Sequence, residues 1–230
     1  MPVLVLFDID GTLLLGTPRA HTEALVRAAG DVYGVEARAD HVRAIRPAGR
    51  TDQEIARLVL RDLDRPDEEI TRGLPAWMAR VAELFPALDA ATPPQSTAPG
   101  AGPALAGLAE EGAALALLTG NIEALARHKM ARQSLGGHFA PGQGAFGSDH
   151  ESRDALVPIA AGRAGGTSAV VVVGDTPRDI ACARAGGARC VALTTGAYDA
   201  ASLADADAVA ADLGEAAGIL RGWIRARGPR

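Results

Sequence analysis

Two short segments of the sequence each carry a pair of carboxylates at a spacing that could serve chemistry. The segment DIDGT at 8–12 holds Asp8 and Asp10 two residues apart, directly after an apolar run. The segment GDTPRD at 174–179 holds Asp175 and Asp179 four residues apart. Carboxylates so placed can bind one divalent cation, attack an electrophile or transfer a proton. A plain turn or helix N-cap needs only one acid, so the pairs favour a catalytic or cation-binding function.

A third segment, LTGN at 118–121, offers groups that suit an anion. Thr119 supplies a hydroxyl, Gly120 opens the backbone, and Asn121 precedes a stretch of helical character. Backbone N–H groups at a helix N-terminus attract phosphate and carboxylate groups. Taken alone, Thr119 or Asn121 could equally be an ordinary N-cap.

The elements that must position these groups are apolar runs that alternate with helical stretches. The runs at 3–7, 113–118, 169–173 and 189–193 predict strands buried on both faces of a parallel sheet. Helices are predicted between them, at 102–111, 122–135, 154–164 and 177–185. This alternation predicts a doubly wound, Rossmann-like α/β fold. All three polar segments follow a strand, and the carboxyl edge of such a sheet is where ligands bind.

The interval between the first strand and the rest of the sheet does not alternate. It predicts consecutive helices at 18–33, 40–45, 51–63 and 67–84, followed by a Pro- and Thr-rich return linker at 91–100. Such a block is too long for a simple crossover and predicts an all-helical cap at 16–94. Residues 1–15 and 95–230 then form the α/β core, the hinge lies at 14–17, and a last helix covers 212–230.

Composition excludes several other classes of protein. The net charge of −5 and the absence of Lys/Arg runs argue against nucleic acid as a partner. No apolar run approaches the roughly 20 residues of a membrane span, and the first residues lack a basic signal-peptide region, so we expect a cytoplasmic protein with no membrane partner. The two cysteines, Cys182 and Cys190, are expected to be buried small hydrophobes rather than a disulfide.

The order DIDGT, TGN and GD-(three residues)-D resembles the haloacid dehalogenase superfamily of hydrolases, and the helical insert resembles the cap of its phosphoglycolate phosphatase-like branch. The resemblance implies that Asp8 is a nucleophile that forms an aspartyl-phosphate, while Asp10 acts as general acid and base. It also implies Mg²⁺ held by Asp8, the backbone carbonyl of Asp10 and Asp175. Asp179 would be a further ligand or an orienting group. Thr119 would be catalytic.

The resemblance further implies a basic residue on the transferring phosphoryl group, and two candidates exist. Many relatives carry a Lys-Pro pair between the second and last motifs. Here the segment 147–154 reads GSDHESRD, which contains no lysine and offers Arg153 as the candidate cation. Some branches carry the lysine on the helix after the threonine motif, where Lys129 lies. Lys129 is the single lysine of the chain and follows Asn121 by about two helical turns, so we favour Lys129 over Arg153.

Substrate choice is expected from the cap. Gly120 and Asn121 would bind phosphate, and Arg50 could present its charge to an anionic leaving group; alternatively Thr51 caps a helix and Arg50 is solvated. The resulting hypothesis is a Mg²⁺-dependent phosphatase acting on a small phosphorylated metabolite. Two alternatives stay open: a phosphomutase of the β-phosphoglucomutase kind, and a phospho-accepting module without turnover.

Overall fold

The computed structural model describes residues 1–16, 19–167 and 169–226. Within them, eight strands form two sheets: β1 Val3–Phe7, β2 Leu14–Leu15, β3 Ser96–Thr97, β4 Ala114–Thr119, β5 Ala145–Phe146, β6 Ala169–Gly174, β7 Arg189–Leu193 and β8 Ala208–Ala210. The α-helices of the described ranges are α1 Arg19–Tyr33, α2 Ala39–Ala44, α3 Asp52–Asp62, α4 Asp67–Ala90, α5 Ala101–Glu110, α6 Glu123–Arg132, α7 Leu156–Arg163, α8 Pro177–Ala185 and α9 Leu213–Arg225.

The main sheet is parallel throughout and has the order β5-β4-β1-β6-β7-β8. The chain builds β1, β4 and β5 towards one edge and then returns to build β6, β7 and β8 towards the other. The winding direction therefore reverses between β1 and β6, where Phe7 pairs with Val173. A crevice opens at the carboxyl ends of the strands at such a switch point. The predicted Rossmann-like α/β fold is confirmed.

Alternating residues of β1 supply the cores on the two faces of the sheet. Val5 and Phe7 join a cluster with the helices α5 and α9. Leu4 and Leu6 join the opposite cluster, which includes Leu156 of α7 and Ile180 of α8. Because successive strand residues point to opposite faces, a run of five apolar residues buries both sides at once.

The helices α1 to α4 form a hydrophobic cluster centred on residues such as Trp77 and Phe85, which Ile122 and Leu125 at the start of α6 also join. We call this group of helices the cap. The helix α4 runs to Ala90, beyond the predicted end at Leu84, although it contains Pro86. Burial of Phe85 against the cap interior and packing of the end of α4 on α6 outweigh the hydrogen bond that Pro86 cannot donate.

The two chain segments that connect cap and core pair with each other. Strands β2 and β3 form an antiparallel ribbon in which Leu14 lies opposite Thr97 and Leu15 opposite Ser96. Thr17 of the predicted hinge and Pro18 of the predicted first helix lie outside the described residues, as do residues 227–230 of the predicted last helix. The division at 16–94 stays a prediction. None of the helices in the described ranges is long and apolar enough to cross a membrane.

Candidate active site

Asp8 stands at the carboxyl end of β1, at the switch point of the sheet. Its backbone N–H donates to the carbonyl of Val173 at 2.9 Å, which continues the pairing of β1 with β6. Its side chain is only 7 % exposed. One carboxylate oxygen, Oδ1, accepts a hydrogen bond from Nη2 of Arg153 at 3.0 Å. The nucleophile candidate is thus fixed by backbone pairing and held by one cation.

The carboxylates of Asp8, Asp175 and Asp179 converge at this point. Each offers an oxygen within 4.8 Å of the others, and all three residues are buried. The Thr12 hydroxyl donates to Asp175 at 3.2 Å. A Cβ on Gly11 would collide with the Asp175 carboxylate, which explains why the DIDGT turn needs glycine there, at φ +94°.

Burial and mutual repulsion act on this cluster together. Burial, against the attraction of Arg153, raises the pKa of Asp8 to about 7, and the charges of Asp179 and Asp10 add to the rise. Burial and the charges of Asp8 and Asp179 raise the pKa of Asp175 to about 8. A divalent cation between these oxygens would relieve both effects. The donor set therefore fits a hard cation such as Mg²⁺, which prefers carboxylate oxygens.

Asp179 is fully buried and receives more hydrogen bonds than the other two acids. The backbone N–H and the hydroxyl of Thr176 both donate to Oδ2, at 3.0 Å and 2.7 Å, and form a capping box at the start of α8. Arg153 donates to the other oxygen, Oδ1. Because both oxygens are engaged, the geometry favours an orienting role for Asp179 over direct binding of a cation.

Arg153 is the basic residue that contacts Asp8, although the sequence favoured Lys129. Its guanidinium joins Asp8 to Asp179 and donates to the carbonyl of Gly49 at 3.1 Å, with the side chain 6 % exposed. It lies in a short 3₁₀ turn before α7. Its position between the TGN and GD segments, where relatives carry lysine, was the feature of the sequence that made Arg153 a candidate.

Lys129 contacts Asp10 instead. Its Nζ lies 2.9 Å and 2.7 Å from the two carboxylate oxygens of Asp10 and donates to Oδ1 of Asn121 at 2.7 Å. The amides of Asn121 and Gln95 also donate to Asp10, each at 3.0 Å. Burial opposes ionisation of Asp10, but the charges of Lys129 and His21 and the hydrogen bonds from Lys129 and Gln95 together outweigh burial, and the pKa of Asp10 falls below its usual range. The Asp10 side chain is therefore not part of the acidic cluster.

Two cap residues that the sequence analysis did not single out complete this network. His21 of α1 places Nδ1 3.4 Å from the Lys129 ammonium and Nε2 2.9 Å from Oδ1 of Asp52. The other oxygen of Asp52 accepts from the backbone N–H of Ile122 at 2.8 Å. Neither residue lies in a recognisable motif, so only the tertiary arrangement reveals them.

The TGN segment precedes its helix rather than opening it, because α6 begins at Glu123. The Thr119 hydroxyl is fully buried and accepts the N–H of Asn121 at 3.3 Å. Gly120 lies against the cap: its carbonyl accepts the N–H of Asp52 at 2.8 Å, and a Cβ on it would collide with the carbonyl of Arg50. Thr119, Gly120 and Asn121 all line the cavity that Asp8 faces.

Arg50 also lines this cavity, but its charge is already engaged. Its Nη1 pairs with Glu54, and its Nε donates to the carbonyls of Ile45 and Arg46 at 3.2 Å and 3.3 Å. The neighbouring Thr51 caps α3 and accepts the N–H of Glu54 at 3.1 Å. The predicted cap by Thr51 is confirmed, while Arg50 is paired rather than solvated.

The cap is closed over the site by direct hydrogen bonds to the core. The Thr51 hydroxyl donates to the carbonyl of Glu151 at 2.5 Å, and the Gln53 amide donates to the carbonyl of Gly147 at 2.7 Å. Arg57 pairs with the Glu151 carboxylate at 2.5 Å. The cavity between cap and core is open to solvent on one side and has a volume of about 500 Å³, large enough for a phosphoryl group and a small organic group.

An acidic site at the switch point, beneath a helical cap, is the arrangement of a capped hydrolase of the Rossmann-like type. A family model for haloacid dehalogenase-like hydrolases matches residues 3–187, and the chain belongs to this family. The match confirms the resemblance carried by the three motifs. No curated protein matches the chain in a sequence comparison.

Solved structures share the fold at low sequence identity. A protein provisionally named a β-phosphoglucomutase, from Bacteroides vulgatus, has a TM-score of 0.69 at 21 % identity, covering 99 % of this chain and 91 % of its own. CbbY from Rhodobacter sphaeroides, in complex with phosphate, has a TM-score of 0.67 at 19 % identity, covering 94 % and 96 %. A hydrolase from Pseudomonas syringae has a TM-score of 0.67 at 20 % identity, covering 96 % and 98 %.

Proposed function

We propose that this chain is a Mg²⁺-dependent phosphatase that hydrolyses a small phosphomonoester through an aspartyl-phosphate on Asp8. The observation that carries the proposal is the separation of carboxylates at the switch point. Asp8 and Asp175 share a buried, repulsive cluster that suits a cation, whereas Asp10 is held apart by Lys129. Two acids in opposite electrostatic environments can divide nucleophilic and acid–base roles.

Asp8 is the proposed nucleophile. Its oxygen attacks phosphorus, the bond from phosphorus to the leaving oxygen breaks, and an acyl phosphate forms on the Asp8 carboxylate. Arg153, bonded to Asp8 and Asp179, binds the phosphoryl oxygens and fixes the direction of attack. The Thr119 hydroxyl and the backbone N–H of Gly120 line the same cavity and are the proposed neutral donors to phosphate, while the N–H of Asn121 donates to Thr119.

Asp10 is the proposed acid and base. It gives a proton to the leaving oxygen in the first step and removes a proton from the water that cleaves the acyl phosphate in the second. Lys129, Asn121 and Gln95 hold its carboxylate in place. Because this network favours the ionised form, the proton for the first step must arrive with the substrate, whose negative charge raises the proton affinity of Asp10.

Asp8, the backbone carbonyl of Asp10 and Asp175 are the residues proposed to hold Mg²⁺. When bound there, Mg²⁺ would offset the charge of the phosphoryl group and of the carboxylate that attacks it. Without that neutralisation, two like charges about 4 Å apart repel by about 4 kcal/mol at an effective dielectric constant near 20.

The test is phosphate release from a panel of small phosphomonoesters, with Mg²⁺ or with EDTA, for the wild type and Asp8→Asn. Exposed Asp62 of α3 provides a matched control, Asp62→Asn. We expect release to require both Mg²⁺ and Asp8, and Asp62→Asn to match the wild type. Full activity of Asp8→Asn would disprove the mechanism.

A phosphomutase is the second candidate, favoured by the shared fold with the provisionally named β-phosphoglucomutase. It would return an isomeric sugar phosphate instead of free phosphate. Incubation with a sugar phosphate and separation of the products distinguishes the two, because only hydrolysis accumulates inorganic phosphate in proportion to substrate consumed.

A further inference from the structure

The cavity between cap and core combines a charged floor with an apolar wall. The floor carries the carboxylates of Asp8 and Asp175, next to Arg153. The cap-side wall, against which we place the leaving group of a phosphomonoester bound at Asp8, is formed largely by aliphatic side chains: Leu15, Leu25, Val42, Pro47, Ala48 and Ile55. Leu25, Val42 and Ile55 are themselves buried residues of the cap.

Before any cation binds, the formal charge of the described side chains that line the cavity is negative. Among the described residues that line it are four carboxylates and two guanidiniums: Asp8, Asp10, Asp52 and Asp175, with Arg50 and Arg153. The charge of Arg153 is already paired with Asp8 and Asp179 at the floor of the cavity. Arg50 is the one guanidinium on the cap side among the described lining residues, and Glu54 already neutralises it.

The other ionisable groups of the cap side also face partners. His21 lies between Asp52 and Lys129, and Asp52 accepts the backbone N–H of Ile122. The half-buried hydroxyl of Thr22 has no partner within the described part of the chain. The wall thus offers a leaving group extensive apolar contact, one neutral hydrogen-bonding group and no free cation among the described residues.

We propose, on the basis of the phosphatase function proposed above, that the group released from phosphate is uncharged and largely aliphatic or aromatic. A leaving group with its own carboxylate or phosphate would place a second anion beside paired charges and apolar side chains. Burial of an unpaired charge is strongly unfavourable, whereas apolar contact favours binding. The site therefore selects against phosphorylated hydroxy acids and against bisphosphates.

The proposal is tested with substrate pairs that differ in one charge. Phenyl phosphate is compared with 4-carboxyphenyl phosphate, and propyl phosphate with 3-phosphonooxypropionate, by kcat/KM for phosphate release with Mg²⁺. We expect the neutral leaving group to be preferred at least about tenfold in both pairs, a factor that corresponds to about 1.4 kcal/mol. Equal rates, or preference for the carboxylates, would overturn the proposal.

A variant tests whether pairing of Arg50 causes the selectivity. Glu54→Gln removes the partner of Arg50 and leaves a cation available to an anionic leaving group, so the neutral-to-anionic ratio should fall at least about threefold. Glu69→Gln is the matched control, because Glu69 forms the same i,i+4 pair with Arg65 and neither residue lines the cavity. An unchanged ratio in Glu54→Gln, or an equal fall in Glu69→Gln, would contradict this explanation.

The outcomes separate this inference from the function on which it rests. If no substrate gives phosphate release that depends on Asp8, the phosphatase function fails. If release depends on Asp8 and the anionic substrates are the better ones, the function stands and the inference about the leaving group is wrong.

Discussion

Two basic side chains of this site form ion pairs with different carboxylates, and in each pair the two residues are far apart in the sequence. Arg153 reaches Asp8 across 145 residues, and Lys129 reaches Asp10 across 119. The sequence indicated both as candidates but favoured Lys129 for the phosphoryl group. Which carboxylate a cation meets depends on how α6 and the 3₁₀ turn before α7 are packed against the sheet. Residue spacing carries no information on that packing.

Because Lys129 contacts Asp10, we expect Lys129→Met to lower kcat/KM by a factor that depends on the leaving group. Loss of the ammonium should displace the Asp10 side chain and weaken proton donation to the leaving oxygen. Acid–base catalysis contributes roughly 10²–10⁴-fold, so kcat/KM for alkyl phosphates should fall at least about 100-fold. For p-nitrophenyl phosphate, whose leaving group needs no proton, kcat/KM should change less than about threefold.

Asp10→Asn is the comparison for this prediction. It should show the same dependence on the leaving group, and the double variant should lose little more than either single one, because both changes remove one function. An equal loss of kcat/KM on both substrates would instead place Lys129 on the transferring phosphoryl group, as the sequence analysis favoured.

Among the secondary-structure elements, those with long apolar runs were predictable. The strand predicted at 189–193 is observed as β7 with the same bounds, and the other three predicted strands differ by one residue or less at each end. The two-residue strands β2, β3 and β5 and the three-residue β8 were not predicted. They are too short to show a period of two, and each depends on a partner distant in the sequence: β5 and β8 join the edges of the main sheet, and β2 and β3 pair with each other.

The backbone of Gly120 lies close to the backbone of the cap, so we expect Gly120→Ala to lower enzymatic activity. The methyl group would meet the carbonyl of Arg50 and keep the cap from closing. We expect kcat/KM to fall at least about tenfold, because closure excludes water and positions the reacting groups. The melting temperature should change little, since the two hydrophobic clusters that pack on the sheet contain no residue of α1 to α4.

Gly102→Ala is the matched control for that variant. Gly102 lies in α5, and a Cβ there would have no neighbour within 4 Å. It should leave kcat/KM unchanged and stabilise the helix by up to about 1 kcal/mol. The prediction for Gly120 is wrong if both variants behave alike in steady-state kinetics.

At the scale of the whole molecule, the acidic cluster links stability to pH and to divalent cations. The pKa of Asp175 in the folded protein is raised to about 8 from an ordinary value of 3.8, so the folded state binds the proton more tightly than the unfolded state. Proton binding by Asp175 therefore stabilises the folded state fully below pH 3.8, and this stabilisation is lost as the pH rises towards 8. Without metal, the free energy of unfolding of the wild type relative to Asp175→Asn should fall by on the order of 3 kcal/mol from pH 4 to pH 8.

Mg²⁺ should reverse this loss, because a cation stabilises the ionised carboxylates. Chemical denaturation of the wild type and Asp175→Asn at several pH values, with EDTA or with Mg²⁺, measures both effects. We expect Mg²⁺ to stabilise the wild type at pH 8 by about 2.7 kcal/mol at a concentration 100 times Kd, and Asp175→Asn much less. A difference between the two proteins that is independent of pH would contradict the raised pKa.

The pairing of β2 with β3 restricts the motions that we expect of the cap. Two unpaired connecting segments could bend independently, whereas two hydrogen-bonded strands bend together about one axis. Gln95, immediately before β3, donates to Asp10, and the backbone of Asp10 bridges to Leu14 at the start of β2. Any swing of the cap about this ribbon therefore has its axis beside Asp10. Because atoms near an axis move least, we expect Asp10 to keep its hydrogen bond from Gln95 while the contacts of Thr51 and Arg57 with Glu151 separate.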